Sequence, residues 1–291
     1  MTTTAGGALT VALAEDIDRL FDSEPHVRCD APDSVHQMRV ATRRLRSVLR
    51  SYRALFDKRA IADTGAELKW LADLLGEARD AQVRAERFAA LIAEVPGADT
   101  AAVTARLVTA QRDRYRDAHE RITSALDDDR YLALRAELAR WRDKPPLRTA
   151  RAETTAQEYF GVVLERDRER VEALIRREPT VAPAERVELL HDIRKSAKRL
   201  RYSGEAAQPS VGELATELGQ RAKRLQTVLG DHRDAVESHE AILAVAEEAA
   251  TAGEDTAAYA ALAAEEDAAA GRALSGYPAR AAALTGWQNI E

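Results

Sequence analysis

Six residues near the start of the chain carry cationic or titratable groups at one helical spacing: His36, Arg39, Arg43, Arg46, Arg50 and Arg53. At about 100° per residue all six fall in one sector roughly 100° wide, and at about 1.5 Å per residue they make a stripe ~26 Å long. Met38, Ala41, Leu45, Val48, Leu49, Tyr52 and Phe56 cluster on the opposite side of the same helix. Neighbouring like charges on a helix repel by a few tenths of a kcal/mol per pair. A solvated face relieves that cost with interspersed acids, yet no Asp or Glu stands between His36 and Arg53. The neutralising charge must come from neighbouring helices or from a bound polyanion. Arg offers a planar fork for phosphate oxygens and Lys a point charge, while an adjacent anion pulls a His ring toward its protonated form.

The pattern occurs twice. Residues 190–201 match residues 35–46 at an offset of 155, and residues 223–235 match residues 69–81 at an offset of 154. In the second copy His191, Arg194, Lys198 and Arg201 share one face, with Ile193 and Leu200 on the buried side. Glu205 stands where Arg50 would be expected, so the second stripe is the shorter one. Lys69 and Lys223 open the second pair of matched blocks. Arg44 and Arg199 lie about 80° from their histidines and are weaker candidates for the same wall. If His36 and His191 titrate, anion binding tightens as pH falls from about 8 to about 6.

Other chemistry is less well supported. Glu188-x-x-His191 and Asp33-x-x-His36 have the spacing that di-iron carboxylate bundles use. The Arg and Lys rows that follow oppose a dicationic centre, and a helix-N-terminal role for Asp33 and Glu188 is preferred. His232 and His239 lie seven apart on one face, and packing is the commoner role for such a pair. Cys29 has no fixed His partner visible in sequence, and no Gly-rich phosphate-binding loop occurs. Trp70, Trp141 and Trp287 read as core or interface anchors and do not interleave with the basic stripe. Asp80 and Asp234 read as structural, through an adjacent Arg or a cap.

The elements that position these residues are helical. The chain has 291 residues, 45% hydrophobic, 32% charged and 5% aromatic, with 9 Pro and 14 Gly. That composition favours helix and leaves little punctuation for a many-stranded fold. Periodicity predicts helices over 8–23, 33–57, 60–94, 99–126 and 129–142, then 152–177, 184–206, 211–250, 254–271 and 276–286. Pro25, Pro32-Asp33-Ser34, Pro96-Gly97, Pro179, Pro183, Pro209-Ser210 and Gly253 mark the breaks, with Asp33 or Ser34 and Ser210 as caps. Asp143-Lys144-Pro145-Pro146 reads as the linker between the halves. The net charge of −6 hides a strong asymmetry. Residues 36–59 hold eight Lys or Arg and one acid, whereas 236–291 hold two Arg and ten acids. A single cysteine rules out an intramolecular disulfide and an all-thiolate metal site. No apolar run is long enough to cross a bilayer and the first residues lack a signal-peptide pattern, so a cytoplasmic protein is expected.

His36-x-x-Arg39-x-x-x-Arg43-Arg44-Leu45-Arg46 and His191-x-x-Arg194-x-x-x-Lys198-Arg199-Leu200-Arg201-Tyr202 resemble the two halves of a CHAD domain, the conserved histidine α-helical domain. Leu75-Gly76-x-x-Arg79-Asp80 and Leu229-Gly230-x-x-Arg233-Asp234 resemble its second repeated element. The resemblance covers residues 8–286, with halves at 8–142 and 152–286 and a linker at 143–151. It implies an all-α fold of two pseudo-symmetric antiparallel four-helix bundles with long helices around a basic central pore. It also implies binding of inorganic polyphosphate without catalysis, cofactor or metal, and association with polyphosphate granules. One wall would hold His36, Arg39, Arg43, Arg46, Arg50 and Lys69; the other His191, Arg194, Lys198, Arg201 and Lys223. A CYTH domain found upstream in some members is not expected here, since no Glu-x-Glu-x-Lys element occurs near the start. Nucleic acid, RNA or DNA, is the alternative but disfavoured polyanion. No membrane partner is expected, and a homodimer is compatible with the sequence.

Overall fold

In the computed structural model, which describes residues 3–286, the regular structure is helical, with two isolated β-bridges and no strand among the described residues. The first half of the chain forms α1 (Ala5–Arg28), α2 (Ser34–Ser51), α3 (Lys58–Glu94) and α4 (Ala101–Thr104). One π turn at Ala105–Thr109 joins α4 to α5 (Ala110–Leu126), which is followed by α6 (Asp129–Asp143). Then come α7 (Thr149–Ala152), α8 (Ala156–Arg177), α9 (Pro183–Val211), α10 (Glu213–Thr251), α11 (Ala257–Ser275) and α12 (Tyr277–Thr285). The order α1–α2–α3 is repeated as α8–α9–α10, as the sequence repeat requires. No helix of the described residues is long and apolar enough to cross a membrane.

Two predicted breaks are not breaks. Pro25 lies inside α1 and Pro209 inside α9, each in the last turn, where a missing N–H removes a single helical bond. The boundary after α9 is Gly212, whose φ of 75° suits glycine and whose N–H reaches Gln208 O at 2.9 Å. Ser210 is therefore helical and caps nothing. Asp33 occupies the N-cap of α2 in the left-handed region, φ 61°, without a capping hydrogen bond, and its carboxylate accepts from Gln37 Nε2 at 2.6 Å. Ser34 is the first residue of α2. The predicted helix 33–57 ends at Ser51 and gives way to a 3₁₀ turn at Arg53–Leu55.

The chain forms two compact units, each drawing on both sequence halves. The first comprises the residues up to Leu75, Ile122–Gln226 and the stretch from Ala279. Its core is the hairpin α1–α2 with the hairpin α8–α9. Leu9, Leu13, Ile17, Met38, Leu45, Phe160, Ile193 and Leu200 are buried there, each contributing about 1.5–3 kcal/mol. Tyr52 packs on Phe160 with ring centroids 4.6 Å apart. The segment between α6 and α7 is pinned just after α2. Asp57 N–H donates to Pro146 O at 2.8 Å and Arg148 N–H to Leu55 O at 2.7 Å, while Trp141 stacks on Phe56. Trp70 lies under the Arg130 guanidinium, and Trp287 falls outside the described residues.

The second unit comprises Gly76–Arg121 and Thr227–Pro278. Phe88, Leu107, Val108, Ile242, Tyr259 and Leu262 fill its core. Buried Glu266 accepts from Arg87 Nε at 2.6 Å and Ser238 Oγ at 2.7 Å. His232 and His239 sit with Nδ1 3.1 Å and 2.9 Å from the carbonyls of Ala270 and Ala263, so both tie α10 to α11.

Gly204 on α9 shows how closely α10 approaches. A Cβ there would lie 2.9 Å from Ala215 O and 3.3 Å from Gly219 Cα, both backbone atoms. Gly204→Ala is expected to cost about 1–3 kcal/mol in urea unfolding. Gly65→Ala, with nothing within 4 Å of the new methyl, should gain about 0.5–1 kcal/mol. Equal effects at the two positions would show that the α9–α10 contact does not set this cost.

Candidate polyanion site

The helices α2 and α9, which carry His36 and His191, lie within the first unit and pack on each other. Arg44 meets Glu205 while Ser51 meets Arg199, so residue numbers run in opposite directions across the contact. Met38, Ala41, Leu45 and Val48 on α2, and Ile193, Ala197 and Leu200 on α9, are buried, and basic residues of the two helices come together beside them.

Lys198 reports that juxtaposition most directly. Its ammonium is pushed down from the ordinary 10.5 to about 7, first by burial and then by Arg43, Arg194, Arg39 and Arg46. Arg43 is lowered by burial and by the fields of Arg39 and Arg201, with the Tyr202 hydroxyl opposing. Arg46 is lowered by burial and by Arg50, with Asp73 opposing. Arg39, Arg43 and Arg46 from α2 and Arg194, Lys198 and Arg201 from α9 thus share one field. The buried Nε–H groups of Arg43 and Arg194 have no hydrogen-bond acceptor among the described residues.

His36 and His191 are half-buried and Arg50 is exposed. Lys69 is exposed on α3 and ion-paired to Asp73, the same acid that acts on Arg46. Lys223 is exposed on α10 in a groove that also holds Glu205, Gln208 and Thr216. Arg201 donates through Nε to Glu205 at 2.9 Å and lies over the Tyr202 ring at 5.1 Å.

Two arginines that point away from the stripe hold the helices in place. Arg44 Nε donates to Asp16 at 2.7 Å, and the same guanidinium pairs with Glu205. Arg199 Nε lies 3.1 Å from Asp167 and 3.2 Å from Ser51 Oγ, which itself donates to Asp167 at 2.9 Å. Asp16 and Asp167 are almost fully buried. Sequence reasoning missed both, although a signal existed: each is a lone carboxylate on an apolar stripe, Leu9-Leu13-Asp16-Leu20 on α1 and Phe160-Val163-Asp167-Val171 on α8. Asp80 and Asp234 are exposed in the second unit, where Arg87 is raised first by its hydrogen bond to Glu266 and further by the field of Asp234. Cys29 is exposed, with Sγ 3.4 Å from His26 O. Glu188 lies 3.8 Å from Lys195 Nζ, and no group of three His, Cys, Asp or Glu among the described residues is arranged to hold a metal ion.

Residues 11–243 match the family model described as the CHAD domain. Over 254 residues the chain is 38% identical to the uncharacterized protein Rv2226 of Mycobacterium tuberculosis, covering 85% of this chain and 47% of that protein. The chain therefore spans about half the length of the curated relatives it matches. Among solved structures it resembles PptA from Streptomyces chartreusis, with a TM-score of 0.77 and 19% identity over 96% of this chain and 99% of that one. It also resembles the CHAD domain from the plant Ricinus communis, with a TM-score of 0.68 and 22% identity over 98% and 90% of the two chains. Both structures share its all-α fold.

Two stability measurements follow from this geometry. Asp167→Ala strands the Arg199 guanidinium in a largely buried position and is expected to cost about 3 kcal/mol in urea unfolding. A loss below about 1 kcal/mol would show that the pair behaves as a surface bridge. For Lys198, the unfolded chain stays protonated up to about pH 10.5 and the folded chain only up to about pH 7. The unfolded state binds more protons between those values, so stability rises with pH across the window and is lost as pH falls through about 7. Lys198→Met should therefore unfold at higher urea than the parent at about pH 6, with the gap closing toward about pH 10. A gap that does not change with pH would refute the assignment.

Proposed function

The chain belongs to the CHAD domain family, and on that premise we propose that it binds inorganic polyphosphate through the joined basic faces of α2 and α9, without chemistry of its own. The observation that carries this reading is the setting of Lys198, whose four strongest charged neighbours, drawn from two helices, are all guanidiniums. Such a cluster is unfavourable alone and favourable around a row of phosphates, whose oxygens accept bidentate Arg contacts. The aromatics nearby favour a phosphate chain without bases. Tyr202 is buried beneath Arg201 and Tyr52 is buried against Phe160, so neither offers a free face for a nucleobase to stack on.

In this reading the halves 8–142 and 152–286, joined by 143–151, each supply one wall of a basic pore. His36, Arg39, Arg43, Arg46, Arg50 and Lys69 belong to one wall, and His191, Arg194, Lys198, Arg201 and Lys223 to the other. Arg39, Arg43, Arg194 and Lys198 form the centre, and the outer residues extend the path of the chain. The cellular role that fits is recruitment to polyphosphate granules in the cytoplasm, or regulation there.

Calorimetric titration with long-chain polyphosphate, competed with duplex DNA and with RNA, tests the reading. Expected are binding that weakens with salt, displacement of nucleic acid by polyphosphate, and no release of free phosphate. Arg39→Ala combined with Arg194→Ala should weaken binding at least tenfold, since a charge-assisted hydrogen bond contributes about 1.5–3 kcal/mol. Phosphate release would make the protein a hydrolase, and nucleic acid winning the competition would overturn the polyphosphate assignment. Binding should also take up a proton near Lys198, so affinity falls as pH rises from about 7 to about 8. Lys198→Arg should abolish this dependence. If His36→Ala with His191→Ala abolishes it instead, the histidines carry it.

A further inference from the structure

The two walls are unequal, and the inequality traces to one residue. On α2 the stripe continues past Arg46 to Arg50, an exposed cation. At the corresponding position α9 carries Glu205, which is ion-paired to two arginines. Its link to Arg44 is duplicated, because Arg44 also holds Asp16 through Nε. Its link to Arg201 has no such backup among the ion pairs of the described residues. Arg201 is the next member of the α9 stripe after Lys198, and it is held twice, by the Glu205 carboxylate and by the face of Tyr202. The Arg201 guanidinium thus already has a carboxylate partner, whereas Arg43 and Arg194 keep buried Nε–H groups without acceptors among the described residues.

We infer that Glu205 is a specificity-determining residue, which competes with the anion for Arg201 and weakens the α9 wall beyond Arg194 and Lys198. This rests on the polyphosphate reading and deepens it. Because the two helices run in opposite directions, a chain that passes Lys198 toward Glu205 still meets the cations of the α2 stripe near Arg43, but on α9 it meets a carboxylate that repels it. Glu205 thereby sets how many phosphates the site engages, and it penalises chains that run past Lys198.

The test uses the intact chain and two polyphosphates, a short one of a few phosphates and a long one, titrated at several salt concentrations. Glu205→Gln keeps the side-chain shape and leaves Arg44 paired to Asp16. It should tighten the long chain several-fold, leave the short chain within about twofold, and steepen the log affinity against log salt slope by about one unit. Arg201→Ala should cost several-fold more in the Glu205→Gln background than in the parent, a coupling that a purely structural Glu205 would not produce. Equal slopes in parent and Glu205→Gln, or an equal Arg201→Ala loss in both backgrounds, would overturn the inference while leaving polyphosphate binding intact. Failure of the parent to bind either chain would overturn the reading on which the inference stands.

Discussion

The arrangement depends on forcing like charges together. Arg39, Arg43 and Arg46 on one helix and Arg194 and Lys198 on another repel at short range, and the desolvation visible at Lys198 sharpens that repulsion. The apolar contacts of α2 and α9 supply part of the opposing force. The rest comes from the opposite edge of the same helices, where Arg44 and Arg199 are held by Asp16 and Asp167, acids buried in α1 and α8. Neighbouring arginines on each helix thus have opposite jobs. Arg43 faces the cluster with its Nε unused, while Arg44, one residue on, is fully occupied as a strut.

Most of the helical layout was legible in the sequence because it rests on local signals: apolar periodicity, the offset repeat and the Pro or Gly punctuation. The misread boundaries are those at which the position of a residue in its helix matters more than its type. Pro25 and Pro209 sit in last turns, where only one hydrogen bond is lost, and Gly212 rather than Ser210 reverses the backbone. The stripe residues were equally readable, since their spacing alone puts them on one face. What the spacing could not give is which face of α9 meets α2. Asp16, Asp167 and the pairing of Glu205 with Arg44 are contacts between residues more than 25 positions apart in sequence.

The histidines illustrate the same division. His36, His191, His232 and His239 are all members of spaced patterns in sequence, and pattern alone does not separate their roles. His36 and His191 stand on α2 and α9, whereas His232 and His239 have Nδ1 turned toward carbonyls of α11. The Nδ1 atoms of His232 and His239 are thereby engaged with the protein backbone. A lone histidine spacing is informative only when its neighbours on the same face are known.

The segment between α6 and α7 has a consequence for how a duplicated chain avoids its characteristic error. Tandem copies of related sequence tend to exchange equivalent segments between molecules, which builds swapped oligomers. Here the junction is clasped just after α2 by two backbone hydrogen bonds, Asp57 N–H to Pro146 O and Arg148 N–H to Leu55 O, and the Phe56–Trp141 stack sits beside them. These contacts join parts of one chain, so they form at high effective concentration within one molecule. A second molecule offering its own half would have to open that clasp before it could compete, and the covalent neighbour is always the first to arrive.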